Sequence, residues 1–245
     1  MTAGGGSGTD AAAFCSSALS SPGAWRTVRL VRSWRGRDAD DVRAWLRRPG
    51  ALRVEALDGT LLAAGVQPAR PVGGPNPAAG DRAEPPIYQD YHWVAMLDPY
   101  ELALGADPVT GASVAPVVVD DVRRVVHHGR PALEAVVRTR PGYAPVCSCC
   151  PLLPGADSDD LLAEEGAGRA ADRQPGHTHA EHHVVRLDLG TGICVRTEQV
   201  GGTQHGRGHD VVIEAVDEDM ADVLFETPPR TRRWSRRRRR PASGG

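Results

Sequence analysis

The sequence predicts an α+β fold, in which a curved antiparallel sheet shaped as a half-barrel carries a few short helices on its concave face. Three observations lead to this fold class. Short runs that alternate apolar and charged residues recur along the chain, turn sequences separate several of them, and helix start signals are few. With 245 residues, of which 28 are Gly and 20 are Pro, the chain is long enough for one domain with extended loops.

The first predicted strands lie near the N-terminus. Residues 25–34 alternate Arg with Val and Leu, and residues 52–57 repeat this pattern. Asp58-Gly59 follows, before the apolar pair Leu61-Leu62, and Asp-Gly between two such runs is a strong signal for a tight turn. These residues therefore predict one strand and one β-hairpin.

Two more hairpins and a single strand are predicted in the second half of the chain. Residues 117–126 and 133–138 flank a turn sequence at 128–131, and residues 184–189 and 193–199 flank a Gly-Thr-Gly turn at 190–192. Residues 211–216 form a further alternating run. We expect a sheet of about seven to ten strands, with the helices on one of its faces.

Three short helices are predicted. The first begins after Asp40 or Asp41, carries apolar residues at positions 42, 45 and 46, and ends at Pro49-Gly50. The second begins at Asp98-Pro99, an acceptor followed by proline, and ends before Gly105. The third covers residues 217–225, where acidic residues in the first turn favour a helix start.

Composition divides the chain into one domain and two flanking segments. We expect residues 1–23 to form a flexible leader, residues 24–229 the half-barrel domain, and residues 230–245 a disordered Arg-rich tail. Within the domain, residues 66–86 are rich in Pro and residues 151–181 are acidic and rich in Gly, so both predict disordered loops. At most a short helix is expected near Leu161.

The N-terminus predicts a cytoplasmic protein. A secretory signal needs basic residues before an apolar stretch, whereas residues 1–10 contain no Arg and the apolar patch at 11–15 ends at Ser16-Ser17. Cys15 also lacks the residues that precede a lipidated cysteine. No apolar run is long enough for a membrane-spanning helix. We therefore expect the five cysteines to stay reduced.

The charge is unevenly distributed. All 29 basic residues are Arg, a usage typical of GC-rich genomes such as those of actinobacteria. Residues 1–229 hold 21 Arg against 31 acidic residues, a net charge of −10, whereas the tail carries +8. The tail predicts phosphate contacts and base stacking, and therefore nucleic-acid association, through Arg232, Arg233, Trp234, Arg236, Arg237, Arg238, Arg239 and Arg240. A solvated tail, or one paired with the acidic loop at 151–181, is the alternative.

Three segments resemble the lipoprotein-carrier superfamily, which includes LolA-like carriers and RseB-like regulators of anti-sigma factors. They are the strand entry Gly129-Arg130-Pro131-Ala132, the strand and turn at 185–192, and the ending at 217–228. The resemblance covers about residues 25–229. It implies a strongly curved antiparallel half-barrel whose concave face, covered by helices, holds acyl chains or a hydrophobic peptide.

The sequence departs from this superfamily in two respects. Carriers act outside the cytoplasmic membrane, whereas no export signal is visible here. The cavity of the carriers is apolar and often aromatic, whereas only 4% of these residues are aromatic. No ligand residue of the superfamily maps one to one onto this chain.

The densest group of reactive side chains is the run Cys147-Ser148-Cys149-Cys150, with Cys194 farther along the chain on a predicted strand. Four histidines follow the run, at His177, His179, His182 and His183. Thiolates and imidazoles bind zinc, so Cys147, Cys149, Cys150, His177 and His179 are the candidate metal ligands. The spacing differs from the usual two residues between paired zinc-binding cysteines, and on an extended chain Cys149 and Cys150 point to opposite faces. Small apolar residues at a strand end, some of them buried, or a reversible disulfide between Cys147 and Cys150, are the alternatives.

Other histidines carry less information. His127 and His128 are placed at a hairpin tip, and His205 and His209 in a Gly-rich loop that lacks the features of a phosphate-binding loop. No Gly-x-Ser-x-Gly motif occurs, so the sequence offers no defined catalytic site.

The sequence therefore predicts a non-enzymatic protein that uses the concave sheet face to bind a hydrophobic ligand or a segment of a partner protein. Two alternatives stay open. One is a Cys/His metal-binding protein centred on residues 147–150, with zinc as its cofactor, and the other is nucleic-acid association through the Arg tail.

Overall fold

The computed structural model describes residues 7–36, 41–71, 82–107 and 109–227. The strands are β1 (Thr27–Arg35), β2 (Val42–Arg47), β3 (Ala51–Ala56), β4 (Leu61–Val66), β5 (Gly105–Ala106), β6 (Ser113–Val114), β7 (Val117–His127), β8 (Arg130–Thr139), β9 (His182–Asp188), β10 (Cys194–Val200) and β11 (Gly208–Val216). The helices are α1 (Ser7–Ala24), α2 (Tyr91–Leu97), α3 (Ala156–Leu162) and α4 (Ala170–Arg173). The described residues also contain a π-helical turn (Ala163–Ala167) and 3₁₀ turns at Tyr100–Leu102 and Asp222–Phe225.

Nine strands form one antiparallel sheet in the order β4-β3-β2-β1-β11-β10-β9-β8-β7. Each hairpin places sequence neighbours side by side, and the pairing of β1 with β11 joins the N-terminal strands to the C-terminal ones. Within the described residues the sheet is curved and does not close into a barrel, so the predicted fold class is confirmed. β5 and β6 form a separate two-stranded ribbon.

The inner face of the sheet, defined as the face that packs against α1 and α2, carries the core. Alternate residues of each strand point to it, as the side-chain period of two requires. Phe14 of α1 and Trp93 of α2 are almost completely buried in the same apolar cluster as Leu30, Val185 and other inner-face residues. The helices therefore cover the sheet, and burial of their apolar residues is a main driving force for the fold.

The outer face of the sheet is polar. Glu214 on β11 pairs with Arg29 on β1 and Arg43 on β2, at 3.2 and 3.1 Å. On β8, Glu134 pairs with Arg186 of β9 at 2.6 Å. The partly exposed pairs of Glu214 are worth little individually, whereas Glu134 is buried and its carboxylate depends on its arginine partner.

Two sequence predictions are wrong because tertiary packing overrides local composition. The segment expected to be a flexible leader forms α1 from Ser7 onwards, and it docks through Phe14, while Ser21 donates a hydrogen bond to the Leu97 carbonyl. The helix expected after Asp40 or Asp41 is strand β2, in which positions 42, 44 and 46 face the core.

The remaining helix predictions hold only in shortened form. The helix expected at residues 98–104 is a single 3₁₀ turn, and the one expected at 217–225 is a 3₁₀ turn at its end. The acidic segment 151–181 contains α3, as expected near Leu161, together with α4. No sequence pattern predicted α2. Part of the Pro-rich segment, residues 72–81, and the Arg-rich tail lie outside the described residues.

In the parts of the chain that the structure describes, no helix combines the length and apolar character that a membrane span requires.

Candidate functional site

A cavity of about 520 Å³ lies over one end of the inner sheet face. Its floor is built from inner-face residues near strand ends: Trp34 of β1, Thr197 and Gln199 of β10, and His183 of β9. His183 and Gln199 are direct cross-strand partners. Toward the middle of the sheet the same alternation continues with apolar residues, so the inner face changes from apolar to polar at this end. We call this space the polar cavity.

Helices and loops outside the main sheet form the walls and roof of the polar cavity. α2 contributes His92, α3 contributes Asp159, and α4 contributes Arg173. Two further segments line it: a loop that we call the cysteine loop, residues 146–152, and the approach to β9, with His177 and His179. The cavity is therefore rich in groups that donate or accept hydrogen bonds.

His209 of β11 is a fully buried imidazole beneath this wall, and it is completely hydrogen-bonded. Its Nε2 lies 2.8 Å from the Cys194 carbonyl, so Nε2 carries the proton and donates it. Its Nδ1 then accepts from the Thr197 hydroxyl at 3.1 Å. Burial lowers the pKa of His209 well below the usual value, and the neighbouring His92 lowers it further. His209 is therefore a neutral structural group.

His92 connects this buried group to the cysteine loop. Its Nε2 lies 2.9 Å from His209 Nδ1, and its Nδ1 donates to the Pro151 carbonyl at 3.0 Å. The ring of Trp34 packs against it, with centroids 4.8 Å apart. His92 thus holds one side of the cysteine loop and packs against Trp34 and His209 of the sheet.

His183 lines the same cavity but differs from His209. It is only 3% exposed, and neither of its ring nitrogens has a hydrogen-bond partner in the structure. The Pro154 carbonyl lies close enough to raise its pKa slightly, but outside hydrogen-bond geometry. Burial dominates and lowers the pKa of His183 to about 4, so the ring is neutral at neutral pH. It presents one unused donor and one unused acceptor.

His177 and His179 lie at the rim, with ring centroids 4.9 Å apart. The spacing of two residues thus brings the rings together, as expected, although the segment is not a strand. His177 Nδ1 lies 3.1 Å from the Thr203 hydroxyl, and His179 Nε2 lies 3.5 Å from a carboxylate oxygen of Asp159. Both rings are therefore engaged with protein groups.

The cysteine loop brings three sulfurs together. The Sγ atoms of Cys147 and Cys149 are 2.7 Å apart, those of Cys149 and Cys150 are 3.7 Å apart, and all three lie within 4.8 Å of one another. The Cys150 amide donates to the Cys147 carbonyl at 3.3 Å, so the segment is a turn. The expectation that Cys149 and Cys150 diverge is wrong because it assumed an extended chain.

A buried carboxylate holds the base of the cysteine loop. Glu101, fully buried, accepts hydrogen bonds from the Val146 amide at 2.9 Å and from the Leu152 amide at 3.0 Å, one on each side of the cysteines. The Tyr143 hydroxyl also donates to Glu101 and in turn accepts from the Leu153 amide at 3.1 Å. Burial raises the pKa of Glu101, while these hydrogen bonds oppose the rise. The loop is therefore held at both ends before any ligand arrives.

The thiols of Cys149 and Cys150 are not activated nucleophiles. The hydrogen bond with Cys147, and then burial, raise the pKa of Cys149, and burial followed by Cys147 raises that of Cys150. Catalytic cysteines instead have lowered pKa values, because a nearby cation or helix end stabilises the thiolate. The cluster is better suited to binding a cation, which stabilises several thiolates at once.

The structure separates several residues that the sequence had grouped together. Cys194 is buried in β10 and does not belong to the sulfur group, and no histidine joins that group within the described residues. His209 lies in β11 and not in the Gly-rich loop, which spans residues 201–207 and includes His205. The residues proposed for nucleic-acid contact lie outside the described residues.

A second group at the β7–β8 turn consists of His127, His128 and Asp210. His127 is already satisfied, since its Nε2 donates to the Val211 carbonyl at 3.0 Å and Arg186 donates to its Nδ1 at 3.1 Å. Asp210 pairs with His128 at 2.5 Å and with an arginine of β10. A metal would have to displace these bonds, so this group is a structural network.

Sequence reasoning missed Glu101, His92 and the role of His183. The strand alternation did contain a signal for His183, because it occupies the same phase as the core residues Val185 and Leu187. Glu101 and His92 act across distances of 45 and 59 residues along the chain, and no local pattern reports such contacts.

No family model matches the sequence, and no curated protein matches it. Among solved structures, the chain is similar to MucB, with a TM-score of 0.43, 14% identity, and coverage of 89% of this chain and 63% of that one. For MucB in complex with MucA(peri) the values are 0.40, 13%, 89% and 60%. For the MucA/MucB complex of Pseudomonas aeruginosa they are 0.37, 14%, 89% and 62%. This chain thus spans about three fifths of the length of each matched chain.

Proposed function

We propose that this protein is a non-enzymatic binding protein, and that its polar cavity receives a segment of a partner protein. The observation that carries the proposal is His183, a neutral buried imidazole with no hydrogen-bond partner at either nitrogen. Leaving buried polar groups unpaired costs about 1–3 kcal/mol. Both nitrogens are closed off from solvent, so a ligand that displaces the groups over the ring and supplies one donor and one acceptor removes this cost on binding.

A peptide segment fits this requirement. Its main chain offers N–H donors and C=O acceptors, which match the one acceptor and one donor of a neutral imidazole. The volume of about 520 Å³ lies in the range of small-ligand pockets, so it accommodates a few residues. Gln199 and Thr197 on the same floor add further side-chain partners.

The lining favours this segment over a hydrophobic ligand. Apolar inner-face residues pack against α1 and α2, through Phe14 and Trp93 among others, whereas the polar cavity is lined by histidine, glutamine, arginine and carboxylate side chains. Burying an acyl chain against these groups would desolvate them without replacing their hydrogen bonds.

The same residues support binding and not catalysis. At neutral pH, the pKa of about 4 makes His183 a weak base, since efficient general bases have pKa values near the working pH. The thiols of Cys149 and Cys150 have raised pKa values, the opposite of what a nucleophile requires.

A blocked cavity tests the proposal. Ala170 of α4 lines the cavity and Ala171, its neighbour, is exposed and does not, so Ala170→Trp is the blocking variant and Ala171→Trp its matched control. Random-peptide display on the full chain should enrich peptides that bind the wild type and the control but not Ala170→Trp. Enriched peptides that bind all three proteins equally, or no enrichment, would contradict the proposal.

Native mass spectrometry of the full chain, purified under reducing conditions, distinguishes a peptide ligand from a hydrophobic one. A lipid-sized mass that is released on denaturation and absent from Ala170→Trp would replace the peptide with a lipid as the ligand. A peptide-sized mass with the same dependence supports the proposal.

A further inference from the structure

The three sulfurs of the cysteine loop have the arrangement of a metal site. Three sulfur ligands at about 2.3 Å from one metal ion lie about 4 Å from one another. The separation of 3.7 Å between Cys149 and Cys150 matches this value, and all three sulfurs fall within 4.8 Å. The 2.7 Å between Cys147 and Cys149 is longer than a disulfide bond of about 2.05 Å. One ion can therefore contact all three after small side-chain rotations.

The loop is prepared for such an ion. Glu101 and Tyr143 fix the chain on both sides of the cysteines, and His92 fixes the Pro151 carbonyl. These contacts involve buried groups outside the sulfur cluster and already order the backbone of the cysteine loop. Metal binding therefore does not have to order it. Cys149 is exposed, whereas Cys147 and Cys150 are half-buried, which gives an ion an entry path.

The donor set selects the type of ion. Thiolates are soft ligands that favour monovalent copper, zinc and iron–sulfur clusters. Structural zinc sites are almost always four-coordinate, whereas the described cluster supplies three sulfurs and no histidine. His177 and His179, which would have completed a zinc site, do not join the three sulfurs within the described residues. Monovalent copper accepts three thiolates without a fourth ligand.

We propose that the cysteine loop binds one monovalent copper ion through the Sγ atoms of Cys147, Cys149 and Cys150. Each thiol that binds the ion releases its proton to solvent, one Cu–S bond forms for each S–H bond broken, and copper remains monovalent, so no oxidant is required. The inference goes beyond the proposed function, because it concerns the sulfur cluster and not the ligand of the polar cavity.

The test is an anaerobic titration of the reduced full chain with Cu(I) in competition with a Cu(I)-specific chelator. We expect one equivalent to bind, with thiolate-to-copper absorption in the ultraviolet. Because loss of even an outer-shell partner weakens metal sites about 10- to 100-fold, Cys147→Ser, Cys149→Ser and Cys150→Ser should each weaken binding at least about 100-fold. Cys15→Ser, a half-buried cysteine of α1, is the matched control and should bind like the wild type.

Three results of the copper titration would overturn the proposal. They are no binding by the wild type, wild-type affinity in a variant that lacks all three cysteines, and a loss in Cys15→Ser as large as in the loop variants. X-ray absorption at the copper edge should show sulfur ligands alone, so nitrogen ligands would contradict the three-sulfur site. Tighter binding of one equivalent of Zn(II) than of Cu(I) would contradict the choice of copper.

Circular dichroism of each variant shows whether the fold is retained. The Ala170→Trp variant separates peptide binding in the polar cavity from copper binding by the cysteine loop. Copper binding by Ala170→Trp together with loss of peptide binding supports both. Peptide binding by the cysteine variants without copper binding shows that the sulfur site is independent of the cavity ligand.

Discussion

Two buried imidazoles of the polar cavity lie in contrasting surroundings. His209 has both nitrogens bonded, to the Cys194 carbonyl at 2.8 Å and to the Thr197 hydroxyl at 3.1 Å. His183, on the inner face of β9, has neither nitrogen bonded. Burial lowers the pKa of both rings, so both are neutral at neutral pH. The difference between them is therefore one of hydrogen bonding and not of charge.

This difference distinguishes support from recognition. A buried polar group that is fully bonded adds to the rigidity of its surroundings, whereas an unbonded one lowers stability and is retained where a ligand uses it. Glu101 follows the pattern of His209, since its carboxylate accepts three hydrogen bonds at the base of the cysteine loop. The supporting groups His209 and Glu101 thus lie behind the wall of the cavity, whereas the unsatisfied ring of His183 lines it.

The largest expected effect is that of His209→Leu. It removes the donor to the Cys194 carbonyl and the acceptor of the Thr197 hydroxyl proton, although the hydroxyl oxygen still accepts from the amide of residue 209 at 3.3 Å. Each such loss costs about 1–3 kcal/mol, so the free energy of unfolding should fall by about 3–5 kcal/mol. Urea unfolding at neutral pH measures this change. A loss below about 1 kcal/mol would show that these hydrogen bonds are not made in solution.

The pH dependence of stability gives the next effect. An unfolded histidine has a pKa of about 6.5, whereas folded His183 has a pKa of about 4. Between these values the unfolded state binds more protons, so the free energy of unfolding falls as the pH falls from 6.5 to 4. The contribution of His183 is about 3 kcal/mol, at 1.36 kcal/mol per pKa unit.

The variant His183→Leu isolates this contribution from those of the other titrating groups. Urea unfolding of the wild type and the variant at several pH values between 7 and 4 should give curves that diverge as the pH falls, with the variant losing less stability. Parallel curves would mean that folding does not lower the pKa of His183. The contrast between His183 and the bonded imidazole His209 would then no longer hold.

Much of the sheet was predictable from sequence because alternation is a local signal. The hairpins around residues 58–59, 128–129 and 190–192 were found in this way. β2 was mistaken for a helix because Trp45 is apolar on the outer phase of the strand. In the structure Trp45 packs against a small separate cluster with Met220 and Phe225, which no local pattern reveals.

The site was predictable only in part. The run of cysteines was recognised as a dense group of possible metal ligands, but its spacing counted against such a site. The turn that brings the sulfurs together depends on Glu101 and His92, which are distant in sequence. α1 was missed because its Gly, Ala and Ser content is typical of unstructured segments, and docking of Phe14 onto the core stabilises it. Contacts between distant segments, and not residue types, account for both errors.

The smallest expected effect is that of His183→Leu on stability at neutral pH, where its sign is informative. No hydrogen bond is lost, and an unpaired buried polar group is replaced by an apolar one of similar size, so stability should rise by about 1 kcal/mol. His182→Leu is the matched control, because the adjacent residue of β9 has the opposite phase and is partly exposed. If urea unfolding shows a loss of about 2 kcal/mol or more for His183→Leu alone, the ring makes a stabilising bond in solution. His183 would then be a supporting group like His209, and the ligand of the polar cavity would have to be recognised by the residues at its rim.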